Sequence, residues 1–202
     1  GSTLPHIAPE VLVALGALAF LDLGRVARRE GRGGVTCEEG IDTWMGSFYH
    51  RLPLTDPGVM RLGWGAEGEF QVMDMQSLAA PYDKPFVVVY PYENQTGVPT
   101  AFIGNEFPDP VPSGPPGSFD EAGVFGYPVT IQTNPTDERG ETVDIVMKLF
   151  EGKDGKKEVE CHFSTPSKPS NPEIAPVGTW CLIPKAPFKP KTVYKVVADW
   201  TS

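Results

Sequence analysis

The run "TVDIVMKLFE", residues 142–151, alternates apolar and polar positions, the period of a strand with one face on a core and one toward water. Five more runs share the strand signature: "FVVVY" (86–90), "YPVTIQT" (127–133), "KEVECHFST" (157–165), "GTWCLIP" (178–184) and "TVYKVVADW" (192–200). Turn signals separate them, among them "KDGKK", where Asp154-Gly155 suits a type I′ hairpin. Six such runs are enough for two sheets to cover each other, so residues 86–202 are expected to form an antiparallel β-sandwich able to fold by itself. Between the first two runs lies "NEFPDPVPSGPPG" (105–117), whose prolines predict an extended crossing and not a strand inside a sheet.

Working backward from residue 81, the periodicity changes. Pro9 suits a first helical turn, and Leu12, Leu15, Ala19, Leu23 and Val26 follow at helical spacing down to Arg28 and Arg29. A second helix is expected from Thr36, which has capping-box spacing to Glu39, to about His50, with Ile41, Trp44, Met45 and Phe48 as its apolar stripe. Pro53 should stop it. The stretch "VMRLGWGAEGEFQVMDM" (59–75) reads as a β-hairpin around "AEG". Helix, helix, hairpin is an α+β order, so the expectation for the whole chain is α+β: a domain over residues 1–80, then the sandwich domain over 86–202.

Composition agrees with a seam near Pro81. All six basic residues before it are arginine, whereas ten of the eleven after it are lysine. The net charge of −9 is shared by both parts and repels phosphate backbones, which argues against a nucleic-acid partner. The longest apolar run, "VLVALGALAFL" (11–21), is short of the ~20 residues a membrane span requires, so no integral membrane segment is expected. Cys37, Cys161 and Cys181 have no zinc-site spacing; Cys161 and Cys181 are either bridged or two buried thiols.

Trp44, then Ser47-Phe48-Tyr49-His50-Arg51, then Leu62-Gly63-Trp64-Gly65 and "EFQVMD" resemble, in order and spacing, bacterial members of the CAP superfamily of cysteine-rich secretory, antigen 5 and pathogenesis-related proteins. The resemblance covers about 35 residues, Gly40 to Asp74. Residues 86–202, with "VVYPYENQTGVP" at the start and "LIPKAPFKPKTVYKV" at the end, resemble an immunoglobulin-like module of bacterial extracellular proteins. Together these imply a CAP-like α/β piece ahead of an immunoglobulin-like sandwich, in a secreted or cell-surface protein. They also imply a cleft at Tyr49, His50 and Arg51 for an extracellular ligand or protein. The family's Gly-Glu-Asn segment is missing, and Ser47 stands where the family carries a glutamate ahead of its second histidine.

His50 is the candidate catalytic residue, because imidazole titrates near neutrality and its neutral form binds zinc. The alternative is a histidine that only closes a helix end. The acids and histidines considered beside it as metal ligands are His6 and Glu10, with Glu38 and Glu39 further possibilities; catalytic zinc would need three protein ligands. Glu67 and Glu69 flank a turn and read as solvent-facing, His162 as a sheet-surface residue, and Asn94 opens an "NQT" glycosylation sequon. No Gly-x-Ser-x-Gly elbow, phosphate loop or His-Glu-x-x-His occurs. The expectation is a binding or interaction module without catalysis and without a cofactor. The alternative is a metal-assisted hydrolase or peptidase using a His50-centred cleft, with a divalent metal such as zinc.

Overall fold

A computed structural model describes residues 10–13, 36–67, 70–77, 85–104, 106, 108–111, 123–135 and 142–201. In chain order these form β1 (Glu10–Val13), α1 (Cys37–Met45), α2 (Arg51–Leu54), β2 (Val59–Glu67), β3 (Phe70–Ser77), β4 (Val87–Tyr90), β5 (Ala101–Ile103), β6 (Val124–Gly126), β7 (Val129–Thr133), β8 (Asp144–Glu151), β9 (Lys157–Glu158), β10 (Cys161–Ser164), β11 (Thr179–Pro184) and β12 (Tyr194–Thr201).

The α+β, CAP-like expectation is overturned. Strands dominate the described residues, helix is confined to two short elements of nine and four residues, and the strands fall into several small antiparallel sheets. Where a long first helix was expected, Glu10–Val13 is a strand paired to β12, with Glu10 opposite Val197 and Val13 opposite Tyr194. An open sheet edge satisfies the backbone of "EVLV" as well as a helix would, and valine favours extended backbone. The rest of that expected helix lies outside the described residues, as does the seam near Pro81.

The second helix begins as the sequence implies. Thr36 caps it, accepting from the Glu39 amide at 3.2 Å while the Glu39 carboxylate accepts from the Thr36 amide at 2.9 Å. It ends sooner, at Met45. The Gly46 amide closes on the Asp42 and Thr43 carbonyls, and the Ser47 hydroxyl turns back to Trp44 O at 2.8 Å. Glycine and serine are both poor continuers of a helix. α2 then starts afresh at Arg51 and tolerates Pro53 in its first turn, where the missing N–H would have had no partner.

Two four-stranded sheets, β1-β12-β8-β9 and β10-β11-β7-β4, enclose the main core. Ile145, Met147 and Leu149 on β8, with Val196 and Ala198 on β12, meet Val129 and Ile131 on β7 and Trp180 and Leu182 on β11. Burial alternates residue by residue along β8, as its sequence pattern requires. β11 behaves differently: all six of its residues are buried. Its inner face carries Trp180 and Leu182. Its outer face, Cys181 and Ile183, lies under Phe48, Phe102 and Val111, so a third layer made from residues 48–52 and the β5–β6 ribbon covers the sandwich. A strand covered on both sides needs apolar residues throughout, which "TWCLIP" largely supplies. The close approach of this third layer depends on Gly126, where an added Cβ would come within 2.6 Å of Pro184.

Two turns depart from expectation. β8 and β9 pair Glu151 with Lys157 and so enclose a five-residue loop, in which Gly152 and Gly155, not Asp154, take left-handed conformations. A type I′ turn would need positive φ at both central residues. The run "KEVECHFST" is split: β9 belongs to one sheet and β10 to the other, the chain crossing between them at Val159 and Glu160. The β2–β3 hairpin forms, with Glu67 opposite Phe70.

Cys161 and Cys181 are free thiols. Cys161 pairs in register with Pro184 and Cys181 with Ser164, an odd offset that sends the two side chains to opposite faces of one sheet. Burial pushes the Cys161 thiol up to about 12 and that of Cys181 higher still. Non-reducing peptide mapping of the folded protein should find no Cys161–Cys181 link, even after mild oxidation. Recovery of that cross-linked peptide would contradict the register.

Candidate functional site

Of the expected cleft residues Tyr49, His50 and Arg51, the structure buries Arg51, half-buries Tyr49 and leaves His50 exposed. Arg51 is fully buried. Its Nε donates to Met45 O at 2.7 Å and one terminal nitrogen donates to Pro128 O at 2.7 Å. The guanidinium carbon sits 4.8 Å from the ring centroids of both Tyr90 and Tyr127. Tyr127 completes the tie by donating its hydroxyl to Met45 O at 2.8 Å, and burial raises its pKa. Arg51 therefore joins the turn after α1 to strands β4 and β7, and it is not a surface group open to a ligand.

His50 has found a partner that none of the sequence candidates supplied. Its Nδ1 lies 2.8 Å from Oε1 of Glu106. The carboxylate of Glu106 is almost wholly buried, while the His50 side chain is 46% exposed, so this pair opens to solvent only on the histidine side. Glu106 also accepts from the amides of Phe48 and His50, both at 2.7 Å. Because its oxygens act as acceptors throughout, the network assigns a hydrogen to Nδ1. One carboxylate thus fixes the turn Phe48–His50 against the proline-rich crossing.

Tyr49 stacks on Phe48 with centroids 4.4 Å apart. Burial, followed by the nearby charge of Glu106, pushes its hydroxyl up to about 12, with Ser170 pulling the other way. Neither the Tyr49 nor the Ser170 hydroxyl completes a hydrogen bond among the described residues.

The other candidates are not brought to His50. His6 lies outside the described residues. Glu10 is on β1, opposite Val197 at the far edge of the other sheet. Glu38 and Glu39 are exposed on the first turn of α1, where Glu39 is occupied by the capping box. No group of three or more histidine, cysteine or acidic side chains capable of holding a metal occurs among the described residues. His162 stands edge-on to Phe125, 5.7 Å between centroids, and burial followed by Lys185 lowers its pKa. Asn94 is exposed in a left-handed turn, φ 59°. Trp44 is only partly buried; Phe48 is the aromatic of the expected stripe that reaches the core.

Two surface features remain. The β2–β3 ribbon forms a separate two-stranded sheet, and its register sets Leu62 across from Met75 and Trp64 across from Met73 on one face. Leu62 is 47% and Trp64 38% exposed, and Met60, at an irregularity in the pairing, is 67% exposed. The glycines Gly63 and Gly65 fall on the opposite face, facing Asp74 and Val72. A recess of 440 Å³ also opens beneath Val159 to Cys161, floored by Met147, Leu149, Phe163 and Leu182. The lysines at its mouth are matched by acids, Lys148 with Glu158 at 3.7 Å and Lys185 with Glu160 at 3.2 Å.

The class defined by this architecture is a two-sheet antiparallel sandwich with a third, partial layer and a separate two-stranded ribbon. Beyond that class, the chain matches no family model, no curated protein and no solved structure.

Two expectations follow for the turn. Arg51→Ala should lower the unfolding free energy in urea by about 2 to 4 kcal/mol, through the cavity and the lost bonds, and Arg51→Lys should recover little of it because an ammonium cannot reproduce the planar fork. Glu106→Ala should cost at least about 2 kcal/mol, since two amides lose their acceptor, whereas His50→Ala should cost under about 1.5 kcal/mol. Equal losses for the Glu106 and His50 variants would show that the imidazole, and not the two amides, gives the carboxylate its value.

Proposed function

We propose that this chain is an extracytoplasmic binding or interaction module, and that the β2–β3 ribbon is its binding element. The observation that carries the reading is the ribbon face on which exposed Leu62 and Trp64 stand beside half-buried Met73 and Met75, in a ribbon whose strands pair only with each other among the described residues. Large apolar side chains grouped on one exposed face mark interaction surfaces more often than they mark nothing, and methionine adapts to partners of varied shape. The extracytoplasmic setting draws its support from the sequence resemblance of residues 86–202 to modules of extracellular proteins. Among the described residues, no helix is long and apolar enough to cross a membrane.

The test is titration with a naphthalene-sulfonate dye that fluoresces on apolar surfaces. The parent should bind it, and Leu62→Ser combined with Trp64→Ser should bind markedly less while melting at nearly the same temperature, because exposed positions change stability by only about 0.5 kcal/mol. Undiminished dye binding in the variant would remove the ribbon from the reading.

One observation favours the hydrolytic alternative. A carboxylate that holds Nδ1 of an exposed imidazole is the arrangement that orients a zinc-ligating or proton-accepting histidine. Calorimetric titration with Zn²⁺ at neutral pH distinguishes the two readings. The binding-module reading expects no tight site in either the parent or His50→Ala. A one-to-one site with submicromolar affinity that vanishes in His50→Ala would favour the hydrolase.

A further inference from the structure

β10 is the edge strand of its sheet, with β11 as its one strand partner among the described residues. The direction of its backbone groups follows from a single bond. The Lys185 amide donates to the Glu160 carbonyl at 2.9 Å, one step beyond the Cys161–Pro184 pair. Bonded and non-bonded pairs alternate along an antiparallel ladder, so His162 and Ser164 turn their backbone groups toward β11, and Cys161 and Phe163 turn theirs away. Pro184, which has no N–H to give, stands opposite Cys161, as this alternation requires. Among the described residues no group bonds to the outward amides and carbonyls of Cys161 and Phe163, and both residues are only half-buried.

The 440 Å³ recess opens along this same edge. Across it runs β8, whose own edge is largely taken: the Ile145 amide donates to Asp144 Oδ1 at 2.9 Å, and the Leu149 carbonyl accepts from the Val159 amide at 2.8 Å. Buried Met147, Leu149 and Leu182 line the recess together with Cys161 and Phe163. The charges at its mouth are already matched, Lys148 to Glu158 and Lys185 to Glu160, so it selects apolar groups and neither sign of charge. The outward groups of Cys161 and Phe163, ~6.8 Å apart, have the two-residue repeat of an extended chain. In a strand laid on them, the residues opposite Cys161 and Phe163 turn their amides to β10 and their side chains into the recess. A small apolar molecule would fill the recess and leave the edge unmet, and a helix spends its amides internally. An extended peptide meets both demands.

We infer that the free edge of β10 and the recess beside it receive an extended peptide segment of another protein, added as a strand and apolar at alternate residues. The site is separate from the β2–β3 ribbon and does not depend on it. Amide hydrogen exchange, read by NMR on the intact chain, tests the edge. The Cys161 and Phe163 amides should exchange much faster than those of His162 and Ser164, and should slow at least about ten-fold on saturation with a peptide of about seven residues alternating threonine and valine. In calorimetric titration, N-methylation of the valine nitrogens should weaken binding at least about ten-fold, because those amides face β10, whereas N-methylation of the threonine nitrogens should weaken it less than about three-fold. Glutamate in place of valine should also cost at least about ten-fold, and equal affinity there would remove the recess from the site. Leu62→Ser with Trp64→Ser should leave the peptide affinity unchanged, so failure of the ribbon and failure of this edge are told apart. Protection of Cys161 and Phe163 in the free chain at every concentration, no binding of the valine peptide, or equal losses from the two N-methylated peptides would each overturn strand addition. Protection that appears only as protein concentration rises would show that a second copy holds the edge, and would overturn the partner peptide.

Discussion

A guanidinium enclosed by two tyrosine rings holds the layers of this protein together. Arg51 is fully buried, and no carboxylate pairs with it among the described residues; its compensation comes from the Met45 and Pro128 carbonyls and from the π faces of Tyr90 and Tyr127. A buried cation is costly unless its surroundings are polarised toward it, and here carbonyl dipoles and ring quadrupoles do that work. The consequence is geometric. The turn after α1 can dock on β4 and β7 only where these acceptors and rings converge, so one side chain fixes the position of the whole helical segment on the sandwich.

Once that segment is docked, the composition of β11 becomes intelligible. Phe48 arrives over Cys181 and Ile183, and the strand is closed off on both faces. Glu106 then ties the proline-rich crossing to the same turn through two amides and an imidazole. Prolines cannot donate backbone bonds, so a segment that includes Pro108 and Pro110 needs a side chain to anchor it, and the buried carboxylate is that anchor.

What the sequence made legible is what depends on local pattern. The alternation of β8, the capping box at Thr36 and Glu39 and the β2–β3 hairpin could all be read from residues within a few positions of one another. What it hid depends on distance. Glu106 is 56 positions from His50, among prolines that suggest only an extended path, and nothing in its neighbours distinguishes it from a solvated acid. Glu10–Val13 carries helical spacing and still forms a strand, because an open edge at β12 offers partners that no local rule contains. Arg51 reads as a ligand-binding cation because arginine is usually exposed; the two tyrosines that enclose it lie 39 and 76 positions further on.

The Ser-x-x-His-Arg pattern shows why a linear motif specifies residue types without specifying their use. Its arginine is spent inside the fold, its histidine is half-committed to Glu106, and its phenylalanine seals β11. The apolar groups of residues 44–52 are thereby directed chiefly inward. A few residues later the direction changes: on β2, Leu62 and Trp64 alternate with Gly63 and Gly65 and are exposed, while Val72, across from Gly65 on the other face, is exposed too. A ribbon built to pack on its own sandwich would bury that bulk as β8 and β11 bury theirs. Exposed at the surface, Leu62 and Trp64 contribute little to the hydrophobic core, in contrast to the apolar residues of β8 and β11 that are closed off from water.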